Sequence, residues 1–219
     1  MFFINFKTYQ EGTGESAVFL VKILESVAES SQVKIVPVVQ AADIKEVVSS
    51  TRLEVWTQKV DAFDFGAHTG AILPEAVFED GAVGTFINHS EAKITDFEEL
   101  TKVVKRAGEV GLKTLVFATD LDELAKVAEL NPTFVAYEPA ELVGSRETSV
   151  AQAKPEIISQ AYEMLRARGI PLVVGAGIKT SEDVRKSVEL GAVGVAVASG
   201  VVLSQNPKEE LLKLVSGFE

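Results

Sequence analysis

Eight times along the chain, a short apolar run rich in Val, Ile, Phe and Leu gives way to a longer amphipathic segment. The apolar runs fall at residues 2–5, 34–38, 53–58, 83–88, 114–118, 134–138, 171–175 and 193–198. A strand buried on both faces reads as a continuous apolar run, and parallel strands need a covering helix in each connection. The alternation therefore predicts βα units around a parallel sheet. Eight consecutive units with no division favour a closed (β/α)8 barrel over an open doubly wound sheet, which usually has about six strands.

The segments between the runs carry helical spacing. Phe97, Leu100, Val103, Val104 and Ala107 recur on one face, with Glu98, Glu99, Lys102 and Lys105 opposite. Thr95-Asp96, Asp120 and Thr180-Ser181-Glu182-Asp183 supply helix-starting caps, and Gly108, Gly111, Gly169 and Gly191 fall where helices hand over to strands. Two connections are long for this architecture, 60–73 and 139–150. Loops beyond about 12 residues in a compact domain usually serve function. No linker, long-period repeat or low-complexity segment divides residues 1–219, so one domain is expected, and α/β barrels of roughly 200 to 250 residues are common.

The charge balance narrows the partners. Lys plus Arg number 21 against 32 for Asp plus Glu, a formal net charge of -11, and no basic run concentrates positive charge. Such a surface repels nucleic-acid phosphates and anionic membranes. The absence of cysteine excludes disulfides, thiolate metal sites and a cysteine nucleophile. Met1 to Lys7 lacks a basic region followed by an apolar stretch, and no apolar run approaches the about 18 residues of a bilayer span, so a cytoplasmic protein is expected.

In a βα barrel the chemistry sits where each strand ends. Those positions hold Asn5-Phe6-Lys7, His89, Glu138, Gly175-Ala176-Gly177 and Ala198-Ser199-Gly200. A lone lysine is commonly just solvated. Asn5 two residues before Lys7 places both on one face of an extended chain, where a fixed cation could hold a phosphate and a developing oxyanion. His89 opens Ser90-Glu91, a helix start that disfavours the imidazolium and leaves a neutral ring able to donate to a carbonyl oxygen. Glu138, followed by Pro139, stands at the barrel mouth as a candidate general base, with Glu141 the better candidate for an ordinary rim carboxylate. The two small-residue turns after strands seven and eight occupy the barrel's usual phosphate position and imply a phosphorylated substrate.

These motifs, with Gly66-Ala67-His68-Thr69-Gly70 and Ala136-Tyr137-Glu138-Pro139 followed by Gly144, resemble the triosephosphate isomerase family in order over essentially the whole chain. Gly-Ala-Gly at 175–177 and shortened outer helices resemble its compact archaeal branch. The resemblance implies a TIM barrel that interconverts dihydroxyacetone phosphate and glyceraldehyde 3-phosphate in glycolysis and gluconeogenesis. It assigns proton abstraction to Glu138, carbonyl polarisation to neutral His89 and enediolate stabilisation to Lys7, with no cofactor or metal. Substrate contacts map onto Asn5, Lys7, the backbone of Val143, Gly177, Ala198 and Ser199. The loop carrying His68 and Thr69 is implied to insert into a neighbouring subunit of a homodimer or homotetramer. Two departures stand out: Arg146 replaces a flexible loop glycine, and Phe6 replaces a frequent tryptophan.

Two rivals remain open on the residues alone. A barrel aldolase would use a Schiff-base lysine, commonly from strand six, where this chain has Glu138. A non-catalytic sugar-phosphate binder would keep the anion turns but would not need lysine, histidine and glutamate together.

Overall fold

The computed structural model describes residues 1–139 and 155–218. Eight parallel strands close on themselves in sequence order: β1 Phe2–Asn5, β2 Ile35–Val39, β3 Trp56–Thr57, β4 Gly84–Ile87, β5 Lys113–Ala118, β6 Phe134–Tyr137, β7 Leu172–Val174 and β8 Gly194–Val197. The ring is completed by β1 beside β8, with Phe3 opposite Ala196. Helices pack outside: α1 Glu15–Ser31, α2 Ile44–Ser50, α3 Pro74–Glu79, α4 Phe97–Val110, α5 Leu121–Glu129, α6 Pro155–Arg166, α7 Ser181–Glu189, α8 Ser199–Val202 and α9 Pro207–Val215. All eight expected strands are present, although β3 pairs over two residues only. Asp96, Asp120 and Thr180 cap α4, α5 and α7, Thr180 through a reciprocal capping box with Asp183. Gly108 departs from expectation: it lies inside α4, and the left-handed cap is Gly111 at φ +96°.

Strand alternation sorts the apolar residues into two cores. Phe2 and Ile4 face the helices within the larger cluster, while Phe3, Trp56, Phe86, Phe117 and Ala136 fill the barrel interior. Phe3 packs edge-on against Trp56 at 5.1 Å and Phe134 at 5.8 Å, which closes the amino-terminal end of the barrel with aromatic rings. Gly84 lets the indole of Trp56 lie against its backbone, since a Cβ there would meet the ring at 2.4 Å. The same alternation that turns Phe3 and Ala136 inward turns Asn5 and Glu138 inward two residues later. Apolar bulk thus stops where polar side chains begin, at the carboxyl ends of the strands.

Candidate active site

A cavity of about 430 Å³ opens at that end. It is lined by Asn5 and Lys7 after β1, His89 after β4, Glu138 after β6, Gly177 after β7, and Ala198 with Ser199 after β8. Every expected site residue among the described ones therefore meets in one place. Val143 lies outside the described residues, as do Glu141, Gly144 and Arg146.

Asn5 and Lys7 meet there by a different route from the one expected. The chain is not extended at Lys7, whose φ is +49°, so strand alternation does not bring the two together. A tight left-handed turn does, fixed by the Lys7 N–H donating to Asn5 Oδ1 at 3.0 Å and by Gln58 Nε2 donating to the Lys7 carbonyl at 2.8 Å. Left-handed backbone at a residue bearing a Cβ is costly and persists only where neighbours impose it. Lys7 Nζ rests on Glu91 Oε1 at 2.7 Å.

His89 is 8% exposed, and burial is the main reason its imidazole is held well below the ordinary range, at about 4; Lys7 and Lys93 push the same way against Glu91. A helix dipole is the lesser influence here, because the following helical turn spans only Ser90–Ala92. That turn matters through one bond: the Glu91 N–H donates to His89 Nδ1 at 3.1 Å. With Nδ1 an acceptor, the neutral ring carries its proton on Nε2. Nε2 faces Glu138 Oε2 at 3.5 Å, and the ring edge packs on Phe117 at 4.8 Å.

Glu138 is equally enclosed. Burial pushes its carboxyl up to about 7, against the pull of the Lys7 ammonium and of hydrogen bonds from Ser90 Oγ and the Ala176 N–H. A carboxylate with that affinity can both take and return a proton near neutrality. Gly175 gives it room, since a Cβ at that position would come within 2.9 Å of Glu138 Oε1.

The turns after β7 and β8 supply backbone. Ala176 and Gly177 are both left-handed, at φ +67° and +74°. Ala198, Ser199 and Gly200 line the cavity where the short α8 begins, and the Val201 and Val202 N–H groups close its turn on the Ala198 carbonyl at 3.1 and 2.9 Å. Tyr9 and Lys179 also line the space. Reading strand ends missed them because they stand four and five residues past β1 and β7. Glu91, the partner of Lys7, stands in the sequence only as part of a helix start, and periodicity carries no signal for a contact across 84 residues. Among the described residues no group of three His, Asp or Glu side chains is placed to hold a metal ion.

Two further cavities, about 390 and 410 Å³, adjoin His89 on the β2–β4 side and share Gln58 and Lys59. Beyond them the loop after β3 stands out from the barrel. Its base is closed by Asp61 and Ile72, whose backbones bond at 2.9 Å, and Asp64 is held by Arg106 at 3.0 Å. His68 stacks on Phe63 at 4.2 Å, and Phe65 is 75% exposed.

The family model for triosephosphate isomerase matches residues 1–217. The triosephosphate isomerase of Methanobacterium bryantii is 43% identical over 215 residues, covering 97% of this chain and 94% of that one. Those of Methanothermus fervidus and Methanopyrus kandleri are each 40% identical, covering 97% and 99% of this chain and 96% of theirs. The crystal structure of the Bartonella henselae triosephosphate isomerase superposes with a TM-score of 0.80 at 17% identity, covering 99% of this chain and 98% of that one, a likeness of fold.

Proposed function

The chain belongs to the triosephosphate isomerase family and is an aldose–ketose isomerase of that family; from that premise we propose that Glu138, His89 and Lys7 carry the reaction on dihydroxyacetone phosphate and glyceraldehyde 3-phosphate. Glu138 removes the proton from the carbon beside the carbonyl. His89 donates its Nε2 proton's hydrogen bond to the carbonyl oxygen as negative charge develops there, and Lys7 stabilises the enediolate electrostatically. His89 then shuttles the hydroxyl proton from one enediolate oxygen to the other, and Glu138 returns its proton to the neighbouring carbon, so that the former hydroxyl carbon becomes the carbonyl. A carboxylate base beside a neutral histidine is the established pattern of this family. The substrate phosphate lies against the backbone at Gly177, Ala198 and Ser199, with Asn5 and Lys7 at the other side; the backbone of Val143, outside the described residues, is a further contact in this proposal. Residues 1–219 act as one domain, in the cytoplasm, in glycolysis and gluconeogenesis.

One observation carries this reading: a carboxyl raised to about 7 faces an imidazole lowered to about 4 across 3.5 Å, inside the cavity that ends at the two small-residue turns. Opposite displacement of two titratable groups marks an acid–base pair. The test is a coupled assay of glyceraldehyde 3-phosphate turnover, with 2-phosphoglycolate as inhibitor. Turnover, and inhibition far tighter than by inorganic phosphate, support the reading. No turnover together with equal affinities would leave a phosphate-binding protein, and a reduced borohydride adduct on Lys7 would indicate an aldolase.

Self-association as a homodimer or homotetramer belongs to the same proposal. The loop after β3 exposes Phe65, and cavities beside Lys7 and His89 offer space for such a loop from a second copy. Shortening residues 67–71 to a tight turn is expected to shift sedimentation towards monomer and to lower kcat together. A fully active monomer would contradict it.

A further inference from the structure

Asn88, between β4 and His89, is 2% exposed and holds a left-handed backbone at φ +63°. Its side chain spends every polar atom on holding that turn. Nδ2 donates to the Phe117 carbonyl at 2.8 Å and to Glu123 Oε1 at 2.9 Å, and Oδ1 accepts from the Ile94 N–H at 3.0 Å. Glu123, in the first turn of α5, accepts in addition from the Thr119 N–H at 2.8 Å and from Thr119 Oγ1 at 2.9 Å. Its Oε1 also lies 2.6 Å from Lys93 Nζ. One carboxylate therefore ties the β5–α5 connection to the residues on both sides of His89.

We propose that Glu123 is a positioning residue for the isomerisation: acting through Asn88, it holds the left-handed turn that presents His89 Nε2 to Glu138. The alternative is an ordinary structural ion pair with Lys93. Two features favour positioning. Besides Lys93, Glu123 accepts from three donors: Asn88 Nδ2 beside His89, and the N–H and hydroxyl of Thr119, which fix the carboxylate within the β5–α5 connection where it meets Asn88. The left-handed turn, which asparagine tolerates better than most residues with a Cβ, is fixed on three sides by the Asn88 side-chain bonds, and its direction decides where the next side chain points. Burial pushes the Glu123 carboxyl up, but Lys93, Thr119 and Asn88 outweigh it and keep the group ionised.

The proposal rests on the assignment of His89 and Glu138 to the reaction. Its test is a double-mutant cycle of Glu123→Ala and Asn88→Ala in the full chain, read by kcat, KM and the ¹⁵N resonances of the His89 ring. Each single change is expected to lower kcat about tenfold or more, with KM within about twofold, because a displacement near 1 Å is felt in the chemical step. The pair together should cost little more than either alone, since both act through one turn. The His89 resonances should move in each variant. If either protein fails to fold, Glu123→Gln, which keeps the shape and one acceptor, should show a smaller loss of kcat and a correspondingly smaller shift of the His89 resonances. Unchanged kcat and unmoved His89 resonances, even with a lowered Tm, would overturn the proposal, as would fully additive losses. A wild-type protein without isomerase activity would instead sink the functional assignment, and the His89 resonances of the variants would still decide the positioning.

Discussion

Two glutamates at opposite ends of the barrel show how one residue type is put to different uses. Glu54, before β3 at the amino-terminal rim, has its side chain 36% exposed and meets Lys34 at 2.8 Å and Lys113 at 3.0 Å. Burial raises its carboxyl, but the two lysines outweigh that and hold it below the ordinary range. Glu138, after β6 at the mouth, has no lysine at bonding distance among the described residues, because the Nζ of Lys7 is committed to Glu91. There burial wins and the value climbs to about 7. Burial penalises both charges; a cation at bonding distance decides whether the penalty is offset. A paired carboxylate keeps its charge, and an unpaired buried one exchanges protons near neutrality.

The largest expected difference between the two is catalytic. Glu138→Asp retracts the base by one methylene and should lower kcat by about 10³-fold with KM nearly unchanged. Glu54→Gln should leave kcat within about twofold. Steady-state kinetics on both variants checks this, and comparable losses would erase the distinction.

Stability should move the opposite way. The folded value of Glu138, about 7, lies above its ordinary 4.5, so the native state binds that proton more tightly than the unfolded chain does. The stability this contributes is present below about 4.5 and is lost as pH rises through about 7. Glu138→Gln, always neutral, should therefore exceed the wild type by about 3 kcal/mol at pH 8 and lose the advantage near pH 4.5. Glu54 is displaced downward, so its contribution is present at pH 8 and fades on acidification; Glu54→Gln should cost at most about 1 kcal/mol there, because the pair is solvent-screened. Urea unfolding at the two pH values separates the cases.

Two glycines sharpen the comparison on a smaller scale. A Cβ at Gly175 meets the flexible end of Glu138, whereas one at Gly84 meets the rigid ring of Trp56. Gly175→Ala should displace the base slightly and lower kcat about tenfold while the fold holds. Gly84→Ala should overpack the interior, costing roughly 1–3 kcal/mol with kcat little changed. The converse pattern would mean that the two ends are not functionally separate.

Much of this was legible before any coordinates, for identifiable reasons. Strands buried on both faces announce themselves as apolar runs, and the polar residue that ends each run points to the mouth; that placed His89, Glu138, Gly177 and Ser199 in one cavity. What was hidden depends on backbone torsion and distant contact. The left-handed turns at Lys7 and Asn88 have no periodic signature, so strand alternation gives the right partners in Asn5 and Lys7 but not the turn that joins them. The lowering of His89 comes mainly from burial, which a one-dimensional pattern does not measure. The shortness of β3 follows from tertiary pairing, since 53–58 reads as a full strand.

Burial at the end of β6 turns an ordinary glutamate into a base near neutrality. The direct measurement is a ¹³C NMR titration of the glutamate side-chain carboxyls in the ligand-free protein, with Glu138→Gln identifying the resonance. A midpoint for Glu138 at about 7, while Glu54 stays below the ordinary carboxylate range, is the expected result. A Glu138 midpoint near 4.5 would contradict it.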